Sequence, residues 1–177
     1  MPSARTRLTL ILIVVAAASR LVAHAPNFTP LGAIALFGGA YFEDRRAGFL
    51  VPLAALFLTD LILGFYPGMT FVYASFAMTV LIGYRLRHTR SATAVAGATL
   101  GTAILFFIVT NFGVWLMGGL YPHSLGGLEQ AYVSAIPFFR NSLFGDMAYA
   151  AVLFGGMALA ERFWSGAART REPVGLS

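Results

Sequence analysis

Cysteine and lysine are both missing from this 177-residue chain, and charge of either sign is scarce. Without cysteine there are no disulfides, no thiolate metal sites and no thiol catalysis. Without lysine there is no P-loop lysine and no Schiff-base amine. The motifs G-x-S-x-G and H-E-x-x-H are absent as well, so no familiar nucleophile or zinc-hydrolase arrangement is present. Charged residues make up 11% of the chain and hydrophobic residues 58%, whereas soluble domains carry about 25% charged residues. A soluble domain of this composition could not cover its surface, which sets aside a cytosolic enzyme, a nucleic-acid binder and a disordered chain.

What remains is an integral membrane protein, with a mean hydropathy of +0.76. At about 20 residues per crossing the length allows about six spans. Apolar runs lie at approximately 8–25, 31–42, 47–65, 70–84, 93–117 and 131–160. They are separated by Pro26-Asn27-Phe28-Thr29-Pro30, Glu43-Asp44-Arg45-Arg46, Tyr66-Pro67-Gly68-Met69, a basic loop with Arg85, Arg87, His88 and Arg90, and a polar loop from Gly118 to Gln130. The expected fold is all-α, a single integral membrane domain over 1–177 built as a six-transmembrane-helix bundle. Ala23-His24-Ala25 resembles a signal-peptide cleavage site, but Arg20 interrupts the apolar run before it, so a retained first span is expected.

Six spans put both termini on one side. Arg5, Arg7, Arg45, Arg46, Arg85, Arg87, Arg90, Arg162, Arg169 and Arg171 then share that side, and the opposite loops contain no arginine. The positive-inside rule makes this N-in and C-in, and the formal net charge of +5 becomes a marker of topology. No nucleic-acid partner is needed to explain it. Small-xxx-small pairs at Ser19/Ala23, Ala35/Gly39, Gly97/Gly101, Ala151/Gly155 and Gly156/Ala160 read mainly as helix-packing contacts within the bundle.

Charged residues inside spans are costly and default to functional hypotheses. Arg20, Asp60 and Arg140 fall in the outer third of this topology, and Asp146 lies one to two turns deeper. Asn111, Asn141, Tyr73 and Trp115 come to a similar level, with His24 and Asn27 at the rim. A few convergent polar groups at one mouth of an apolar bundle suit a small-molecule site. Arg20 and Arg140 could clamp a carboxylate or phosphate, Asp60 could accept from a ligand donor, and Tyr73 and Trp115 could stack on a planar ring. Movement of loop 118–130 or segment 24–30 would admit and release the ligand. The competing reading is that two arginines and two aspartates pair and lock the bundle. Asp146 in particular is expected to be structural, partnered by Arg20 or a hydroxyl.

Several segments together carry a resemblance: Pro26-Asn27-Phe28-Thr29-Pro30-Leu31-Gly32-Ala33, Leu36-Phe37-Gly38-Gly39-Ala40-Tyr41-Phe42, Leu58-Thr59-Asp60-Leu61, Thr110-Asn111-Phe112-Gly113-Val114-Trp115 and Ile136-Pro137-Phe138-Phe139-Arg140-Asn141. Over about residues 20 to 156 the chain resembles an uncharacterised bacterial family of six-span transport-type proteins. That family is more remotely similar to the substrate-binding S-components of energy-coupling-factor (ECF) vitamin transporters, including the small solitary cobalamin-type ones. The resemblance implies uptake of a small water-soluble, vitamin-like nutrient at the outer face of a bacterial inner membrane. It also implies a transmembrane coupling subunit with ATPases as a partner, in keeping with the absence of a nucleotide motif here. Were the ligand cobalamin, His24 or His123 would be the available cobalt ligands; no resident cofactor or metal site is otherwise expected. The alternatives are a membrane enzyme using His24 and Asp60 on a periplasmic or lipid-linked substrate, and a structural subunit without ligand. A non-enzymatic carrier is the reading adopted.

Overall fold

The computed structural model describes residues 3–22 and 27–169. His24 and the Ala23-His24-Ala25 segment lie outside them, as do Pro26 and Arg171. Six helices follow in order: α1 (Ala4–Ser19), α2 (Leu31–Tyr41), α3 (Arg45–Leu63), α4 (Met69–Arg85), α5 (Ala92–Met117) and α6 (Leu125–Arg169). No strand occurs among the described residues. Three helices, α3, α5 and α6, are long and apolar enough to cross a membrane. Large apolar side chains such as Val15, Ile62, Ile108 and Val152 face outward, as a lipid-facing surface requires.

The six apolar runs correspond to the six helices, with shifted ends. Ser3 caps α1 by accepting from the Thr6 amide at 3.1 Å, and the helix stops at Ser19, so Arg20 is its C-cap rather than an interior residue. Asp44 and Ser91 cap α3 and α5 in the same way. Ser124 accepts from the Gly127 amide at 3.2 Å and opens α6 at Leu125. The Gly118–Gln130 segment is therefore half helix, because the Ser124 cap outweighs Gly126 and Gly127. Between α3 and α4, Gly64 and Gly68 take φ of +94° and +84°, conformations that glycine adopts without a Cβ penalty.

The centre of the bundle is α2, which touches all five other helices. Its 11 residues are buried from Ala33 to Tyr41. At 1.5 Å per residue it is about 16 Å long, half the hydrocarbon thickness of a bilayer. Helix α4 lies against it at Gly39 and Gly83: a Cβ on Gly83 would stand 2.5 Å from the Leu36 carbonyl oxygen, and one on Gly39 would collide with the Val80 carbonyl. On another side the Pro52 ring of α3 fills the notch left by Gly38. Phe37, Tyr41 and Phe154 form an aromatic cluster with centroids 4.7–5.6 Å apart. Hydroxyls such as those of Thr79 and Thr99 in this apolar interior bond within their own helices, to Ser75 O at 2.9 Å and Val95 O at 2.8 Å, which satisfies them without water.

Both ends of α2 are capped from outside it, one by α6 and the other by the α4–α5 loop. Pro30 offers no side-chain cap; the Asp146 carboxylate of α6 accepts instead from the Ala33 amide at 3.1 Å and from the Gly32 amide. At the far end, Arg87 donates to the carbonyls of Gly39 (2.9 Å) and Phe42 (2.7 Å), and Arg90 to that of Ala40 (3.0 Å). Asp146 thus pairs with backbone amides, not with Arg20 as the sequence had suggested. An acid at the N-terminus and bases at the C-terminus match the helix dipole. The Arg5–Glu161 ion pair at 2.9 Å joins the start of α1 to α6 at the arginine-rich end.

Of the small-residue pairs, Ala35/Gly39 packs internally, whereas Gly97, Gly101, Gly155 and Gly156 have open space where a Cβ would sit. Gly39→Ala and Gly83→Ala are expected to destabilise the purified protein by about 1–3 kcal/mol, since backbone cannot yield to the added methyl. Gly97→Ala and Gly101→Ala are expected to be neutral or to stabilise by up to about 1 kcal/mol through helix propensity. Thermal unfolding in one detergent compares the four; equal effects would rule out the α2–α4 contact as described.

Candidate functional site

At the end of the bundle opposite the arginines, the C-termini of α1 and α3 meet the N-terminus of α4. Arg20 Nη1 lies 3.0 Å from Asp60 Oδ1 and also donates to Thr59 Oγ1. The Tyr73 hydroxyl donates to Asp60 Oδ2 at 3.1 Å. Asp60 is fully buried, and the Arg20 side chain is 10% exposed. Each carboxylate oxygen therefore has a donor, the condition under which a buried charge is tolerated. Arginine suits this place because one planar fork can serve a carboxylate and a hydroxyl while keeping further donors.

Beside this cluster is a cavity of about 390 Å³. Arg20 and Asn27 border it on one side and Asp146 and Ser142 of α6 on another; its remaining walls include Leu31, Val72, Tyr66 and, from α5, Phe107, Thr110 and Asn111. The cavity thus sits against the first residue of α2, where that short helix stops. Its apolar wall is aromatic: Phe107 lies 4.9 Å from Phe139 and 5.6 Å from Tyr132, centroid to centroid. Asn111 spends its Nδ2 on the Phe107 carbonyl at 2.8 Å, which leaves the amide oxygen available to accept. Tyr66 belongs to the α3–α4 turn; partial burial, with the Asp60 carboxylate nearby, pushes its ionisation above the ordinary tyrosine range, so it stays a neutral donor. The lining thus includes a donor, Arg20, and an acceptor, Asp146.

The residues singled out from the sequence divide into groups. Arg20, Asn27 and Asn111 line the cavity. Asp60 and Tyr73 stand behind Arg20 and hold it. Trp115 does not line it: its indole Nε1 donates to the Pro122 carbonyl at 2.9 Å, and its ring packs on Phe112 and His123. Arg140 and Asn141 are on α6 outside the lining, and Arg140 is exposed. The lock of two arginines and two aspartates is therefore one pair, Arg20–Asp60, among the described residues. No cluster of three metal-ligating side chains occurs among them, and His123 sits on Trp115, away from the cavity lining.

Asp146, Ser142 and the phenylalanines also line the cavity, and the sequence reading did not place them there. The signal was present: Ala103, Phe107, Asn111 and Val114 on α5, and Ala135, Phe139, Ser142 and Asp146 on α6, recur at helical three- and four-residue spacing.

The chain belongs to DUF6580, a family of unknown function, whose profile matches residues 2–168. No curated protein and no solved structure matches it.

Removing one partner of a buried ion pair leaves an uncompensated charge, so Arg20→Ala and Asp60→Ala are each expected to cost about 3–5 kcal/mol of stability. The double change Arg20→Met/Asp60→Leu is expected to cost less than the two single changes added together. Asp146→Ala is expected to cost about 1–2 kcal/mol and Asp146→Asn, which keeps an acceptor for the α2 amides, less than that. Unfolding of the purified variants in detergent measures all of these; additive losses at Arg20 and Asp60 would contradict the pairing.

Proposed function

We propose that this member of the DUF6580 family is a six-segment protein of a bacterial inner membrane, with both termini in the cytoplasm, that takes up a small water-soluble nutrient from the outer side. The observation that carries this reading is the cavity of about 390 Å³ between Arg20 and Asp146, at the end of the bundle remote from Arg87, Arg90 and the Arg5–Glu161 pair. Its volume falls in the usual range for small-molecule sites, as does its make-up of aromatic walls with a few polar groups. Arginine accumulation at the other end supports N-in and C-in through the positive-inside rule. Helix α2 does not cross by itself; it forms the second segment together with the chain that leads into it, and the depression above its N-terminus is the binding site.

The wall chemistry narrows the ligand. Arg20 offers donors, Asp146 and the Asn111 amide oxygen offer acceptors, and the rings of Phe107 and Phe139 offer a flat apolar surface. A compact molecule with a carboxylate or carbonyl at one edge and a donor at the other fits this pattern. The volume favours such a ligand over one as bulky as cobalamin. The resemblance to ECF S-components supports passage inward driven by a separate coupling subunit with ATPases. A second reading, a structural subunit without ligand, draws on the fact that Arg20, Asp60 and Asp146 all have protein partners. Asp60 does not line the cavity, which weakens the enzymatic alternative built on His24 and Asp60.

Because the native chain has no cysteine, single cysteines report topology cleanly. Ser124→Cys is expected to react with a membrane-impermeant maleimide on intact cells, and Ser91→Cys only after permeabilisation; the reverse pattern would refute the orientation. Mass spectrometry of small molecules released from the purified protein is expected to find one bound ligand. Asn111→Ala and Ser142→Ala should each weaken its binding about threefold to tenfold at unchanged thermal stability. A ligand-free native protein, with both variants indistinguishable from it, would favour the structural subunit.

A further inference from the structure

Two charged residues line the cavity above α2, Arg20 and Asp146, and they are not equally matched. The Arg20 guanidinium is paired with the buried Asp60 carboxylate at 3.0 Å, so those two together carry no net charge. Asp146 is 8% exposed, and its carboxylate has the backbone amides of Ala33 and Gly32 as partners. Among the described residues no cationic side chain forms an ion pair with it. A helix N-terminus is equivalent to about half a positive charge, so α2 offsets this carboxylate only in part. A carboxylate accepts up to about four hydrogen bonds, and two amides leave room for more. Gly32 makes the space in which it stands: a Cβ there would lie 2.5 Å from Asp146 Oδ2. The neutral groups of the lining add to the same sign. Thr110 spends its hydroxyl hydrogen on the Phe106 carbonyl at 2.7 Å, and Asn111 donates to the Phe107 carbonyl at 2.8 Å. The Thr110 oxygen can then only accept, and the Asn111 amide oxygen is available to accept as well. Phe106, Phe107, Phe138 and Phe139 also line the space, and the faces of such rings are electron-rich.

Given that this cavity is the ligand site proposed above, on which this reading rests, we infer that the ligand is an organic cation: a small protonated amine with an apolar or aromatic body, its ammonium group at Asp146 and its body among the phenylalanines. An ammonium group brings up to about three donors and supplies the full charge that the α2 dipole does not. Acceptor oxygens beside electron-rich ring faces are the surroundings in which ammonium ligands are held. An anionic ligand would meet Asp146 as a like charge in a site of low dielectric. Arg20, whose charge Asp60 already balances, has only hydrogen bonds to set against that repulsion. Those donors suit a neutral oxygen elsewhere on the ligand, a hydroxyl or a carbonyl. A bare metal ion is a poorer occupant, because one carboxylate among phenyl rings does not complete a coordination shell.

The test uses the full-length protein in a non-ionic detergent and a set of probes that differ in charge on one skeleton. These are 2-phenylethylamine, a cation at neutral pH, the uncharged 2-phenylethanol, and the anion 3-phenylpropanoate. Isothermal titration calorimetry reads their binding, with protein-free micelles as the blank. The amine is expected to bind at least about tenfold more tightly than the alcohol, and the anion most weakly. In Asp146→Asn, which keeps an acceptor for the α2 amides, the amine should fall to within about twofold of the alcohol. The alcohol's own affinity should change little, which separates loss of the charge from damage to the fold. Should that variant fail to fold, the order of the probes on the native protein still decides. Phe139→Leu should weaken the amine about threefold more than the alcohol. Equal binding of amine and alcohol by the native protein, or a preference for the anion, would overturn the proposal and leave the ligand site standing. So would an amine preference that Asp146→Asn leaves intact, or a neutral or acidic molecule released from the purified protein. A released amine would support it even if 2-phenylethylamine itself does not bind. If no probe binds and nothing is released, the ligand site falls and this proposal with it.

Discussion

Everything in this bundle is arranged around the unsatisfied ends of one short helix. Each α-helix leaves four amides and four carbonyls without internal partners, and in most helices water takes care of them. The ends of α2 are buried, so the protein must supply partners from elsewhere. It brings the Asp146 carboxylate from α6 to the amides and two guanidinium groups, Arg87 and Arg90, to the carbonyls. These contacts fix the depth of α6, the end of α4 and the start of α5 relative to α2. The close approach of α4 at Gly39 and Gly83 then has only one register available. In lipid, where apolar burial alone gives little drive for helices to associate, such backbone contacts and polar fastenings decide the packing.

The opposite end obeys the same economy. Arg20 leaves the last turn of α1 to reach Asp60 and Thr59 on α3, and Tyr73 of α4 completes the carboxylate's shell. Three helices are tied at their tips by one buried pair. Because α2 ends short of this level, the space above its first residue is not filled by helix, and its walls are polar where the capping groups stand. The cavity and the two fastenings are therefore one construction: Arg20 and Asp146 hold the bundle with some of their valences and face the cavity with others.

Much of the architecture was legible in the sequence because apolar runs and caps are local. All six helices could be placed, and an arginine and an aspartate in otherwise apolar runs marked Arg20 and Asp60. Pairing was harder. Asp146 binds amides 113 residues away, and backbone groups leave no trace in composition. Arg87 and Arg90 count toward topology by the charge rule, which conceals that they also close α2. Trp115 had the chemistry of a stacking residue, but its indole N–H needed an acceptor and found the Pro122 carbonyl close by in the chain. Arg140 looked intramembrane by position alone; which side of a long helix faces the bundle depends on the phase of α6, and Asp146 rather than Arg140 sets that phase.

The shortness of α2 has a bearing on permeability. On the proposed topology, the dry seal along the bundle axis between the cavity floor and the cytoplasm is about 16 Å of helix, set by its rise of 1.5 Å per residue, in place of the full bilayer. A transmembrane voltage would be concentrated across that length, and its field would lie nearly along the helix that carries an acid at one tip and two bases at the other. A shift of α2 by a single turn would move that dipole by about a third of the seal's thickness.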